Sequence, residues 1–310
     1  MHKAFVASRD NGLKEFFRKY HPPIRSRRHT CVGLGMEVLK LLRGLDTDFP
    51  GIAASAMLVS CDESVQDAEE YARAGAGPQG FLLDTEKDHV MVACHLRVAG
   101  RPGVLLSDLG YHIARVVTVM EDCTYPHTDW FTHSDQQNCR KEYRYLLCRH
   151  NLNYVEWHVR ETRAGRSDDR LALVYVAQEY LSAVEVTEKR NLAWIKKSLV
   201  ARNSEGHAKA GVNLVCKLRD MQLTVFYDGH QGREKKKFKF EELKEMQNVS
   251  DELAGALAQC GEQLRLRDGE LLALVGRLAT VVADREFLAE LLEINERIVQ
   301  LAAGKHYRRR

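Results

Sequence analysis

The sequence predicts an α+β fold: a helix that opens on a cysteine, set against antiparallel strands, with a helical C-terminal extension. Three observations carry this. From Cys31 to Leu45 apolar residues recur at 34, 38, 39, 41 and 42, the spacing of one helical face. Residues 89–98 and 104–108 are apolar, strand-like runs on either side of Ala99-Gly-Arg-Pro-Gly103, a hairpin signal. From Glu241 onward the composition is helical, with apolar stripes through 253, 257, 264, 271, 274 and 278, then 281, 288, 291, 292, 298 and 301.

Taken in order, residues 10–20 read as a short helix that His21-Pro22-Pro23 ends. Thr30 is a candidate N-cap for the helix at Cys31. Gly33 and Gly35 weaken that helix, so its start must be held by packing or must need a close backbone approach. Residues 53–61 read as a strand, 64–73 as an acidic helix, and 74–80 as a Gly-rich loop. After the hairpin, 114–120 is β-rich and 121–150 is polar, aromatic and irregular. Strands are expected at 154–161 and 170–176, then at 199–202, 211–218 and 222–227. The run from Arg233 alternates charge with Phe, like an edge strand. Gly255, Gly261, Gly269 and Gly276 argue against one unbroken C-terminal helix.

With 310 residues the chain can bury a full core and hold about two compact units. Its 46 basic and 43 acidic residues leave a net charge of +3, which sets up no global field for nucleic acid or membrane. The apolar runs are far shorter than a membrane span, and the N-terminus lacks the apolar core of a signal peptide. Eight cysteines are scattered without framework spacing, so reduced thiols and a cytoplasmic location are expected.

A reduced thiol can be a nucleophile. Cys31 stands at a helix start, where the dipole favours the thiolate, and Arg25, Arg27 and Arg28 precede it. His89 opens one strand of the hairpin and Asp108 closes the other, so the turn can bring them together. A cysteine, a histidine and an aspartate in that order suit a triad in which the carboxylate orients the imidazole beside the thiol. Each residue also has an ordinary structural role, as core thiol, loop-edge histidine or turn-forming aspartate. Sequence spacing alone does not bring them into contact.

The stretch from His89 to Tyr111 resembles the arylamine N-acetyltransferase family. His89-Val-Met-Val-Ala-Cys, the Gly100-Arg-Pro-Gly103 turn and Asp108-Leu-Gly-Tyr111 follow that family's His strand, Gly turn and Asp-Val-Gly-Phe-Gly strand end. Arg27-Arg-His-Thr-Cys31-Val-Gly33 stands where the family has Arg-Gly-Gly-x-Cys-x-Glu; Arg27 and Cys31 match, while Arg28, His29 and Gly33 depart. The resemblance covers roughly residues 10–250 in order, and residues from Leu257 onward have no counterpart in the family. It implies a papain-like cysteine-proteinase-type fold, with the nucleophile helix packed on an antiparallel β-barrel. The expected segments are 1–60 (nucleophile-bearing helices), 61–185 (barrel with His and Asp), 186–250 (lid-like) and 251–310 (helical extension).

The activity so implied is ping-pong acyl transfer from acetyl-coenzyme A or another acyl-coenzyme A, through a Cys31 thioester, to a small amine. Cys31, His89 and Asp108 would be the catalytic residues. No tightly bound cofactor is expected. Lys87, Gly110 and Tyr111 are candidate contacts for the cosubstrate, and Arg97 and Arg101 are nearby cations that an ordinary solvated hairpin also explains. A thiol hydrolase or transglutaminase-like enzyme with the same triad, or a non-catalytic interaction protein of this fold, is the alternative.

Other constellations carry less. Cys123, His127, His133 and Cys139 do not have the spacing of a structural zinc site, so no metal is expected. His95 shares a strand face with His89 and is a second candidate base. Tyr125, Trp130 and Phe131 could line an apolar pocket or serve as core aromatics. The Lys235-Lys-Lys237 run and the Arg308-Arg-Arg310 tail read as solvated charge, and no nucleic-acid partner is expected. The mixed-sign polar faces of the C-terminal helices allow packing on the domain or self-association.

Overall fold

The computed structural model describes residues 1–24, 26, 30–63, 65, 67–75, 89–136, 138–179, 183–204, 207–243 and 249–307. It is α+β, with a curled antiparallel sheet and a C-terminal helical region. The chain forms two compact units, Pro22–Asn191 and a second made of Met1–His21 with Leu192–Arg310. The division expected from the sequence placed its boundaries at 60, 185 and 250 instead. Residues 1–21 fall in the same unit as the C-terminal helices.

The first of these units is built on eight strands: β1 (Ala56–Asp62), β2 (His89–Val98), β3 (Arg101–Ser107), β4 (Val117–Met120), β5 (Phe131–Gln136), β6 (Cys139–Leu147), β7 (Tyr154–Arg163) and β8 (Arg166–Tyr175). They order as β4-β3-β2-β1-β8-β7-β6-β5, every pair antiparallel. The sheet curls into a half-barrel. The antiparallel barrel expected from the resemblance is a half-barrel: β4 and β5 are its two ends, and no ladder joins them among the described residues. The curl lets Val117 and Val119 of β4 share a core with Tyr143 and Tyr145 of β6.

Alternation along the strands assigns the two faces of this sheet. Val59, Met91, Ala93, Val104, Leu106, Tyr145, Trp157 and Val174 fill one face. Leu58, Val90, Val92 and Cys94 lie on the other, beneath the helix Cys31–Arg43. With the short helices His2–Val6 and Leu13–Lys19 as α1 and α2, this helix is α3. Thr30 caps it, its Oγ1 accepting the Gly33 N–H at 3.1 Å. Gly35 explains the close approach: a Cβ there would meet Leu58 Cδ2 at 3.0 Å.

Two further helices precede β2: α4 (Ile52–Ser55) and α5 (Ala68–Gly75). The strand expected from residue 53 therefore begins at Ala56, after a single helical turn. The β2–β3 turn is also tighter than expected. Ala99 and Gly100 take it alone, both at positive φ (50° and 81°), as a two-residue hairpin requires. Arg101, Pro102 and Gly103 are already strand. The segment read as irregular, 121–150, contains β5 and β6. Their charged side chains, such as Arg140 and Glu142, hid an alternation in which Tyr143 and Tyr145 point into the core.

Helix α6 (Ala183–Ala193) runs across the unit boundary. The second unit has a four-stranded antiparallel sheet, β12-β11-β10-β9, from β9 (Lys196–Arg202), β10 (Ala208–Val215), β11 (Gln222–Gly229) and β12 (Gly232–Lys239). β12, with its Lys run, is an edge strand, as lysine-rich edges discourage further pairing. Three helices follow: α7 (Asp251–Gln263), α8 (Glu270–Ala283) and α9 (Arg285–Tyr307). Leu253, Leu257, Leu271 and Val275 of their apolar stripes cover Leu223 and Val225 of the sheet. Leu13 and Phe16 of α2 pack on Phe287 and Leu291 of α9, and the Leu13 N–H donates to Glu290 at 2.7 Å. Among the described residues no helix is long and apolar enough to cross a membrane.

Candidate active site

Cys31 is the first residue of α3, His89 the first of β2, and Asp108 the residue after β3. The structure brings all three together. His89 Nε2 is hydrogen-bonded to Asp108 Oδ2 at 2.8 Å, and both side chains are only 3% exposed. The Cys31 Cβ and His89 Cε1 both border the space at Gly110, and the thiol lies close enough to the imidazole to favour its protonated form. With Nε2 on Asp108, Nδ1 is the ring nitrogen left for the thiol. All eight cysteines are free thiols, and Cys31 is partly accessible.

The register explains the meeting. The β2–β3 ladder pairs Val92 with Ser107. Run three positions further, it sets Gly110 across from His89. A Cβ at Gly110 would lie 2.7 Å from His89 Cε1, 2.9 Å from Cys31 Cβ and 3.2 Å from Asp108 Oδ1. The space left by that missing side chain is where the three residues converge.

Asp108 is anchored from behind. Its Oδ1 accepts the Tyr111 N–H at 3.1 Å, and its backbone carbonyl accepts the Ile113 N–H at 2.9 Å. The ring of Tyr111 stands edge-on to His89 with centroids 4.8 Å apart, and Trp157 stands edge-on to Tyr111 at 5.0 Å. The Tyr111 hydroxyl donates to the Glu63 carboxylate. Burial, reinforced by that carboxylate, pushes the hydroxyl far above the usual tyrosine range, so it stays a neutral donor.

Burial alone would hold the His89 imidazole low. The Asp108 charge and hydrogen bond, with a smaller contribution from Cys31, outweigh it and raise His89 well above the ordinary histidine value. The site therefore sets a buried imidazole, shifted toward its protonated form, between a carboxylate and a thiol.

One neighbour was missed from the sequence. Asn191, on α6, places Nδ2 3.7 Å from Cys31 Sγ. It lies 160 residues away in the chain, and no local motif links the two.

Other expected residues lie elsewhere. His95 Nε2 contacts the Val176 carbonyl at 2.7 Å; six residues along β2 put it about 20 Å from His89, so it does not serve Cys31. Gly110 and Tyr111 belong to the Cys–His–Asp cluster. Arg97 and Arg101 are at the hairpin tip, about 26 Å or more along the strand from His89, and Arg101 is engaged by Asp122 at 2.9 Å. Lys87, Arg25, Arg27, Arg28 and His29 are outside the described residues. Tyr125 is 89% exposed, whereas Phe131 joins the Tyr143–Tyr145 aromatics and Trp130 carries the Arg160 guanidinium. His127 accepts the Met120 N–H at 3.1 Å, and His133 stacks on Tyr143. No three potential metal ligands gather among the described residues. A cleft of about 640 Å³ lies on the face of β6 and β7 opposite Tyr145 and Trp157. Arg144, Glu156 and His158 line it, and none of the Cys31 cluster reaches it.

No protein-family model, curated protein or solved structure matches the chain.

Proposed function

We propose that the protein is a thiol-dependent acyltransferase in which Cys31 carries the acyl group, His89 moves protons and Asp108 orients His89. The observation that carries this reading is the convergence of Cys31 Cβ, His89 Cε1 and Asp108 Oδ1 on the space at Gly110. A buried imidazolium is expensive unless a carboxylate compensates it, and here the pair also faces a thiol at a helix start.

In the proposed reaction the Cys31 thiolate attacks the acyl carbon of a thioester or ester. The Sγ–C bond forms as the carbonyl electron pair moves onto oxygen. Collapse breaks the bond to the leaving group, which takes a proton from His89. An amine then attacks the acyl-cysteine and loses its proton to His89, and the thiolate departs. The residue order Cys31, His89, Asp108-Leu-Gly-Tyr111 supports an arylamine N-acetyltransferase-like enzyme on a papain-like fold, with acetyl-coenzyme A or another acyl-coenzyme A as donor.

The test is incubation with acetyl-coenzyme A. One equivalent of free coenzyme A should appear in a burst, one acetyl group should map to Cys31, and Cys31→Ala should abolish both. Discharge of that acetyl group to an amine supports a transferase, and discharge to water alone makes the enzyme a hydrolase. If neither acetyl-coenzyme A nor p-nitrophenyl acetate acylates Cys31, the enzymatic reading fails.

A further inference from the structure

We infer that the Asn191 carboxamide is a catalytic hydrogen-bond donor at this site. It acts with the backbone N–H of Cys31 as the pair that holds the oxyanion formed when Cys31 is acylated. The inference rests on the acyl-transfer reading and adds a residue to it.

The observation is direct. Asn191 Nδ2 lies 3.7 Å from Cys31 Sγ, the spacing of an N–H donor on sulfur. Sulfur is a weak acceptor, so this contact contributes little while the thiol is free. Once Sγ bonds to an acyl carbon, the carbonyl oxygen sits one atom beyond that carbon and becomes negative. A donor already touching Sγ is within reach of it, and a charged oxygen draws an N–H far more strongly than sulfur does.

An oxyanion is held best by two donors. The second is supplied by the start of α3. Thr30 Oγ1 takes the Gly33 N–H and the Thr30 carbonyl takes the Leu34 N–H at 2.9 Å. The Cys31 N–H has no acceptor among the described residues, as the first N–H groups of a helix leave their donors open. This orphan donor and the Asn191 carboxamide both belong to the immediate surroundings of Sγ. Asn191 touches the reacting atom and provides no charge or base, so its role is electrostatic rather than proton transfer.

Two reactions of the same thiol separate this role from a structural one. Acylation by p-nitrophenyl acetate forms an oxyanion: Sγ bonds to the carbonyl carbon, and p-nitrophenolate leaves as that oxygen's electron pair returns. Alkylation by iodoacetamide displaces iodide at a saturated carbon and forms none. Both rates would be measured for wild type, Asn191→Ala and the near-isosteric Asn191→Leu. The expected result is acylation slowed about 10²–10³-fold in both variants, the usual cost of one such donor, with alkylation of Cys31 within about threefold of wild type. Acylation at the wild-type rate in both variants overturns the inference and leaves the acyl-transfer reading standing. Acylation and alkylation falling together would show that Asn191 only supports the fold, and overturns it too. Absence of Cys31 acylation in the wild type is a different result, because it removes the acyl-transfer reading itself.

Discussion

Gly110→Ala is the sharpest perturbation of the proposed site. The added methyl carbon would stand 2.7 Å from His89 Cε1 and 2.9 Å from Cys31 Cβ. Carbon atoms in contact prefer roughly 3.5–4.0 Å, so one or both neighbours must retreat by close to an ångström. Neither can give way cheaply. Cys31 Cβ is fixed to the backbone of α3, and the His89 ring is held by Asp108 at 2.8 Å and walled by Tyr111. Forcing a methyl into such a space costs about 1–3 kcal/mol of stability, and a 1 Å misplacement of reacting groups costs about 100-fold in rate. Gly255 of α7 is the control, since a Cβ there meets nothing within 4 Å. Gly255→Ala should raise stability by about 0.5–1 kcal/mol and leave Cys31 chemistry unchanged. The assay is the rate of Cys31 alkylation by iodoacetamide beside urea unfolding of the same samples. Gly110→Ala should slow alkylation by tenfold or more while still folding, as the partial loss of a rate quoted above allows. An unchanged rate and an unchanged unfolding midpoint would refute the claim that the three residues meet at Gly110.

Three further predictions follow from single contacts. Asp108→Asn removes the charge that raises His89 and leaves burial to dominate, so His89 should titrate below its ordinary value, about 6.5. Histidine NMR on the folded variant reads this, and an unmoved His89 would sink the electrostatic account. Because the folded value is raised in the wild type, this stabilisation is full below about pH 6.5 and is lost as pH rises through the folded value. The stability gap between wild type and Asp108→Asn should therefore narrow toward alkaline pH. Thr30→Ala deletes the cap of α3 and should cost about 1 kcal/mol in urea unfolding, with slower Cys31 alkylation because the helix start loosens. At the hairpin tip, the Arg101 guanidinium and then the Thr124 N–H hold the Asp122 carboxyl down at about 2. That depressed value contributes stability above the ordinary 3.8 which is lost as pH falls toward 2. Arg101→Gln should let Asp122 titrate nearer 3.8, a shift carboxyl NMR resolves.

Local signals read well where one residue type has one physical use. Thr30 before the Cys31 helix was legible as a cap because a β-hydroxyl at that position has an orphan N–H to accept. The β2–β3 hairpin was legible from its glycines, although the turn needed only Ala99 and Gly100. What failed was pattern masked by charge. In β6, Arg140, Lys141, Glu142 and Arg144 surround the two inward tyrosines, and β5 is mostly polar. Residues 1–21 were read with the nucleophile segment because they precede it; their burial partner, the Phe287–Ile294 face of α9, is far along the chain. Asn191 was beyond reach for the same reason, since only tertiary contact brings it to Cys31.

The faces of β2 explain why His89, on the Trp157 face, meets the thiol at the end of the strand. Residues Val90, Val92 and Cys94 lie beneath α3, and Met91 and Ala93 lie on the opposite face with Trp157. A thiol on α3 and an imidazole on the Trp157 face are separated by the sheet itself along most of the strand. They can meet only past its end. His89 is the first residue of β2, Asp108 has just left β3, and Cys31 is the first residue of α3. The one position that would still stand between them carries no side chain. A cysteine one turn further into α3, or a histidine at position 91 or 93, would lack the contact. The arrangement depends on the ends of three elements coinciding at Gly110, and that is why the smallest possible substitution there should separate the thiol from its imidazole.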